Sequence, residues 1–331
     1  MRPLTLLLFA AALLVAPAGA QPIPIDEWEV PYEESRPRDP YVAPDGVVWF
    51  CGQRTGYLAS FNPETGAFNK YDLGEGAGPH NLIVDGNGMV WYAGNRRAHI
   101  GMLNPGTGEI TKYPMPDERA RDPHTLVWAP DGSIWFTVQG GNFIGHLDTD
   151  SGEVTLVDVP TERSRPYGIK MDSQGRPWVV LFGSYKLATV DPETFELTEV
   201  PLPRESARPR RMEITPDDRV WYGDYADGIL GVYDPSDGSF KEWDLPSGDS
   251  ARPYGMAQDH KGRIWVVETG VDPNVFVGFD PESEQFFSQT EVGSGGGTIR
   301  HMYFHAPTKT VWFGADTNTI GRARVDEISA M

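Results

Sequence analysis

Cysteine is nearly absent. Cys51 stands alone among 331 residues, so no internal disulfide can staple the fold even in an oxidising compartment. Beyond the first 20 residues no apolar stretch reaches the roughly 18 residues that a membrane-crossing helix needs, which argues against a transmembrane anchor. Basic residues are scarce, 28 Lys and Arg against 47 Asp and Glu, for a formal charge of -19. Neutralising phosphates requires the opposite balance, which argues against nucleic acid as a partner; solubility is the plain consequence of the charge. Apolar residues at 3.6 spacing are missing too, so helical repeats do not explain the pattern.

What is present is tryptophan at a fixed interval. Trp49, Trp91, Trp135, Trp178, Trp221, Trp265 and Trp312 are separated by 42, 44, 43, 43, 44 and 47 residues. Each lies in a copy of one unit. Two apolar runs meet at a turn such as Asp131-Gly132, and two more flank an Asn/Asp-Pro-x-x-Gly turn, as in ILGVYDPSDGSFKEWDLP. Such alternating runs around tight turns are β-hairpins. A period in the low forties with four strands is that of a propeller blade, so the sequence predicts an all-β, seven-bladed β-propeller with four antiparallel strands per blade. The seventh copy stops short of its fourth strand, and Ile25 to Pro31 resembles the missing one. The N-terminal strand is therefore expected to close the last blade and remove exposed edges.

Residues 1–20 read differently: Arg2, an apolar stretch from Leu4 to Val15, then Ala18-Gly19-Ala20 before Gln21. This is the pattern of a cleavable secretory signal peptide, which predicts a periplasmic or secreted protein. The rest, 21–331, reads as one propeller domain and is expected to be a monomer. Cys51 follows Trp49-Phe50 in a strand-like run and is read as a small buried residue.

Ligand chemistry in propellers converges where the innermost strands begin, at a channel mouth. Eleven residues before each Trp stand Arg38, His80, His124, Tyr167, Arg210, Tyr254 and His301, six of them after a proline. Three imidazoles can serve as base or metal ligand, and guanidiniums, with Arg300 beside the ring, can grip carboxylate or phosphate. Tyr167 and Tyr254 can stack on rings and donate hydrogen bonds. The expected ligand is a small or peptide-like molecule, anionic or ester-bearing. Three residues after each Trp, only Asp224 and Glu268 are acidic. They could hold a hard cation such as Mg2+, or pair with Arg210 and Arg252.

With its blades of P-x-G-I, D-G-x-I-W-F and I-G-x-x-D-P-x-T-G-x-x-x-x-Y-P-x-P, nearly the whole mature chain resembles the streptogramin (virginiamycin B) lyase-like family of seven-bladed propellers. The resemblance implies Mg2+-assisted elimination that opens a cyclic depsipeptide at its ester, with no organic cofactor expected. It also implies an acidic-Pro-His-Gly segment carrying a metal carboxylate and the base, a Glu from a Trp-Phe-x-x-Glu segment, and a His from the preceding blade. Here Asp122-Pro123-His124 and His80 match, but Thr125 replaces the Gly and Val138 the Glu. In the sixth copy Glu268 is in place, while Tyr254 and Arg252 replace base and acid. The resemblance thus casts His124 as base, His80 as partner, and Asp122 and Glu268 as metal ligands, while the chemistry of the ring itself makes Arg38, Tyr167, Arg210, Tyr254, Arg300 and His301 the expected substrate contacts. Whether the protein is an enzyme is left open. A carbon-oxygen lyase, a non-catalytic binding or scaffold propeller for an anionic ligand or protein partner, and a lactonase-type hydrolase are the alternatives.

Overall fold

The structure is a computed structural model that describes residues 20–328. The expected signal peptide lies, apart from Ala20, outside the described residues. Seven four-stranded antiparallel sheets succeed one another, with sheet order following chain order in six of them. Blades one to six cover 37–72, 82–114, 123–158, 166–201, 209–244 and 253–291. Blade seven takes 299–323 and, as its outer strand, Ile25–Glu29, which pairs antiparallel from Ile25↔Ala323 to Glu29↔Thr319. The expected seven blades and the N-terminal closure are both present.

The core is distributed between blades. Each repeat Trp packs into a buried apolar cluster shared with a neighbouring blade: Trp135 meets Ile169 and Val179 of blade four, and Trp312 meets Phe50 and Tyr57 of blade one. Among the described residues four of the seven indole nitrogens are bonded as well, that of Trp221 to the Thr215 hydroxyl at 3.2 Å. Trp91, Trp178 and Trp265 donate to Asp85, Asp172 and Asp259 six residues earlier, at 3.3, 3.1 and 2.9 Å. The same aspartates accept amides of their own turn, so in these three blades the spacing of turn to Trp is a hydrogen-bond spacing. The second turn of blades one to six works similarly: in blade one Asn62 accepts the amides of Glu64 and Thr65, and Gly66 follows at positive φ, a conformation open to glycine. Cys51 is buried, as read from the sequence, and burial pushes its thiol well above its ordinary pKa.

Candidate functional site

The innermost strands surround the channel, and their first residues form its upper mouth. In six blades the pairing of the first two strands slips just after the leading residue, between Pro123 and Leu126 in blade three for example. A bulge of this kind re-aims side chains, and here it produces two successive tiers. In the upper tier His80 and His124 face each other with ring centroids 3.6 Å apart, and His124 lies 4.0 Å from Tyr167. The Tyr167 and Tyr254 hydroxyls are hydrogen-bonded, and the Arg210 guanidinium lies 3.6 Å over the Tyr254 ring.

Strand register corrects one member of the ring. Counting back eleven from Trp312 gives His301, but the blade-seven hairpin between Phe304 and Val311 holds one residue more than its counterpart between Trp128 and Ile134. Ile299 pairs with Ala315 as Pro123 pairs with Val138. Arg300 therefore takes the upper-tier place and His301 drops to the lower one. The upper tier is then Arg38, His80, His124, Tyr167, Arg210, Tyr254 and Arg300, with three guanidiniums and no carboxylate.

The lower tier, Asp39, Asn81, Thr125, Gly168, Arg211, Gly255 and His301, was not singled out from the sequence, His301 apart. It forms a plate across the channel. Arg211 leaves blade five between two glycines and donates to Thr125 of blade three at 3.1 Å, to Asp39 of blade one at 3.1 Å, and to the Arg300 carbonyl at 3.0 Å. Asp39 also accepts Arg38 Nε at 2.9 Å and the Asn81 amide at 3.1 Å. Buried at 1 % exposure, Asp39 feels desolvation, which Arg38 and Arg211 outweigh, holding its carboxyl far below the usual carboxylate range. Comparing the residue after each ring position would have found this plate: a buried acid and a buried arginine at equivalent places in the repeat.

Burial, with Arg38 and Arg211 alongside, drives the pKa of both His80 and His124 well below the ordinary imidazole value, so both rings are neutral at pH 7. Among the described residues His80 Nδ1, His124 Nε2 and Arg210 Nε find no hydrogen-bond partner. Burial would raise the Tyr167 phenol, but Arg210, Arg211 and Arg38 outweigh it and lower its pKa. His124 is only 1 % exposed and Tyr254 2 %; upper-tier side chains plug much of the mouth by stacking on each other.

The implied Mg2+ ligands do not come together. Asp122 accepts the amides of Gly140 at 2.6 Å and Gly141 at 3.0 Å, while Glu268, three blades away, holds the amide and hydroxyl of Ser247. Asp224 binds Arg204 at 2.7 Å and the Arg208 amide at 2.8 Å; neither it nor Glu268 pairs with Arg210 or Arg252. Among the described residues no three His, Cys, Asp or Glu side chains gather in a metal-binding group. The imidazoles sit beside guanidiniums, and Val138, where a carboxylate would stand, is buried and apolar. A divalent cation does not fit this donor set.

At the plug and around its edge, blades four to six carry cations that, among the described residues, lack carboxylate partners. Arg210 sits in a box of Tyr254, Tyr225, Phe182 and Tyr167, at 3.6, 4.3, 4.7 and 5.3 Å from their ring centres. Arg165 extends over the same Phe182 at 5.8 Å and Arg252 over the same Tyr225 at 5.7 Å. Both are exposed, and among the described residues none of the three makes an ion pair. Arg165 and Arg252 also precede proline with φ of +55° and +45°. Residues before proline favour extended backbone, and a left-handed non-glycine residue costs about 1–3 kcal/mol, a strain that clusters at ligand sites.

Fold and mouth define a seven-bladed propeller with a cationic, aromatic upper opening. The chain belongs to the virginiamycin B lyase family, whose model matches residues 20–272. The virginiamycin B lyase from Staphylococcus aureus superposes with a TM-score of 0.82 at 22 % identity, covering 91 % of this chain and 99 % of that one. A streptogramin B lyase structure gives 0.82 at 24 %, covering 91 % and 97 %. A hydrazine synthase chain from Kuenenia stuttgartiensis gives 0.72 at 14 %, covering 88 % and 96 %. At such identities these structures establish the fold alone. No functionally curated protein matches the sequence.

Proposed function

We propose that this streptogramin lyase-like propeller is a binding protein that captures an anionic, ring-bearing ligand at its upper mouth. The observation that carries the reading is Arg210: a guanidinium boxed by four aromatic rings, without a carboxylate, flanked by Arg165 and Arg252 over the same rings. In a chain of charge -19, cations left unpaired together favour an incoming anion. Guanidiniums offer two-pronged hydrogen bonds to a carboxylate, and Phe182 and Tyr225 offer faces for a planar group.

The test is calorimetric titration of the mature protein with benzene-1,3-dicarboxylate. Arg210→Ala is expected to weaken binding ten- to hundredfold, the worth of a charge-assisted hydrogen bond at about 1.5–3 kcal/mol. Chelator should leave it unchanged. An affinity indifferent to Arg210→Ala, Arg165→Ala and Arg252→Ala would sink the reading.

One observation favours a second reading, elimination at an ester. His124 Nε2 is unbonded and the imidazole is neutral, as a base requires. It would take a carbon-bound proton as the carbon-carbon double bond forms and the ester C–O bond breaks, the carboxylate leaving towards Arg38 or Arg210. Its burial counts against direct contact with substrate. Mass spectrometry on a cyclic depsipeptide separates the two readings: ring-opened product that disappears in His124→Ala supports the lyase, and binding without product supports capture.

A further inference from the structure

Beneath the Asp39–Arg211 plate, towards the opposite mouth, lies a cavity of about 230 Å³. That is room for roughly eight waters at about 30 Å³ each, or for one fragment-sized organic molecule. The arginine rim above the plate contributes nothing to it. Its walls are Ile83, Val127, Ile169, Met212 and Met256, from blades two to six.

The polar lining is largely satisfied. Arg211 uses all three nitrogens, Asn81 bonds Asp39 and the Leu126 amide, and Lys170 pairs with Glu213 at 2.8 Å. A buried water needs two to four polar partners, whereas among the described residues the buried side-chain atoms of the lining leave His301 Nδ1 and Trp128 Nε1 unpartnered. The charged groups within reach are already engaged, Lys170 with Glu213 and Arg211 with Asp39, which also holds Arg38. An ion entering would gain no partner and lose its hydration. At the opening Tyr41 and Tyr303 lie with ring centres 4.3 Å apart, and with Trp128 they give the mouth flat aromatic faces.

We propose that this lower cavity is a second binding site, for a neutral, planar, mostly apolar small molecule carrying one hydroxyl or carbonyl that bonds His301. Strand register explains why that imidazole is available here: the extra hairpin residue of blade seven moves it out of the upper tier and into the roof of this cavity. Walls from five different blades make the site a product of ring closure, not of any one repeat.

The experiment uses 2-naphthol with the mature protein, followed by methyl NMR and by ligand-detected saturation transfer. Saturable shifts are expected at the methyls of Ile83, Ile169, Met212 and Met256. Arg210→Ala should leave affinity unchanged. Val127→Phe, which grows a ring into the void, should weaken binding at least tenfold, and Ile83→Phe repeats the test from another blade should the first variant fold poorly. Absence of saturable shifts in the wild-type protein, or shifts at the upper mouth lost in Arg210→Ala, would overturn the site.

Discussion

Asp39→Ala should be the most damaging single substitution in the channel, lowering stability by about 3–5 kcal/mol. One carboxylate compensates two buried guanidiniums, Arg38 and Arg211, and removing one partner of a buried ionic group costs that much because the remaining charges stay desolvated. For a fold of this size each kcal/mol is worth roughly 2 °C in Tm, so a fall on the order of 5–10 °C is expected by calorimetry. Asp39→Asn keeps the shape but not the charge and should lose most of the same stability. Adding Arg211→Met to Asp39→Ala should cost less than the sum of the two single changes, since the pair shares one network. A single variant within 1 kcal/mol of wild type would show that the plate does not hold the ring together.

The second large effect is a loss of stability in mild acid. His80, His124 and His301 are held neutral by burial, the last with its pKa pulled down to about 3. Unfolded, each imidazole titrates near 6.5. Below that value the unfolded chain binds protons that the folded chain refuses, so the contribution is fully present above about pH 6.5 and is lost as pH falls towards the folded values. From pH 7 to pH 5 the loss is about 2 kcal/mol per imidazole, roughly 6 kcal/mol for the three. Glu213 and Glu268, whose pKa burial raises, act in the opposite sense as pH falls. Denaturant titrations at the two pH values measure the slope, and His80→Gln should flatten it by about a third. A stability that is level between pH 7 and pH 5 in the wild-type protein contradicts neutral, buried imidazoles.

Tryptophan spacing made the architecture legible because one interaction, the packing of an indole between neighbouring blades, repeats along the chain, and the fourth strand of blade seven could be read from its resemblance to its equivalents. The site was legible only in part. Arg38, His80, His124, Tyr167, Arg210 and Tyr254 do share a tier, but equal spacing hid the extra residue in one hairpin and so misplaced His301. Asp122 stands two residues before His124 and Glu268 pairs with Pro253 beside Tyr254, yet their oxygens are taken by Gly140, Gly141 and Ser247, contacts made by loops with no repeat signature. The plate escaped notice for a different reason. Asp39, Asn81, Thr125 and Arg211 look unrelated when aligned, because they are complementary across the channel and not alike.

Closure of blade seven bears on the order of folding. Asp26 bonds Arg322 across 296 positions of sequence, and no shorter-range contact can stand in for that strand. A ring joined this way completes only when its two ends meet, so the most distant contact is also among the last available. Contacts of such separation slow folding and leave an unpaired edge exposed in the meantime. Until Ile25–Glu29 is seated, the chain is an open arc with a sticky end. The lower cavity sets His301 and Tyr303 of blade seven against Tyr41 of blade one, so in such an arc it would not yet exist as a recognition surface.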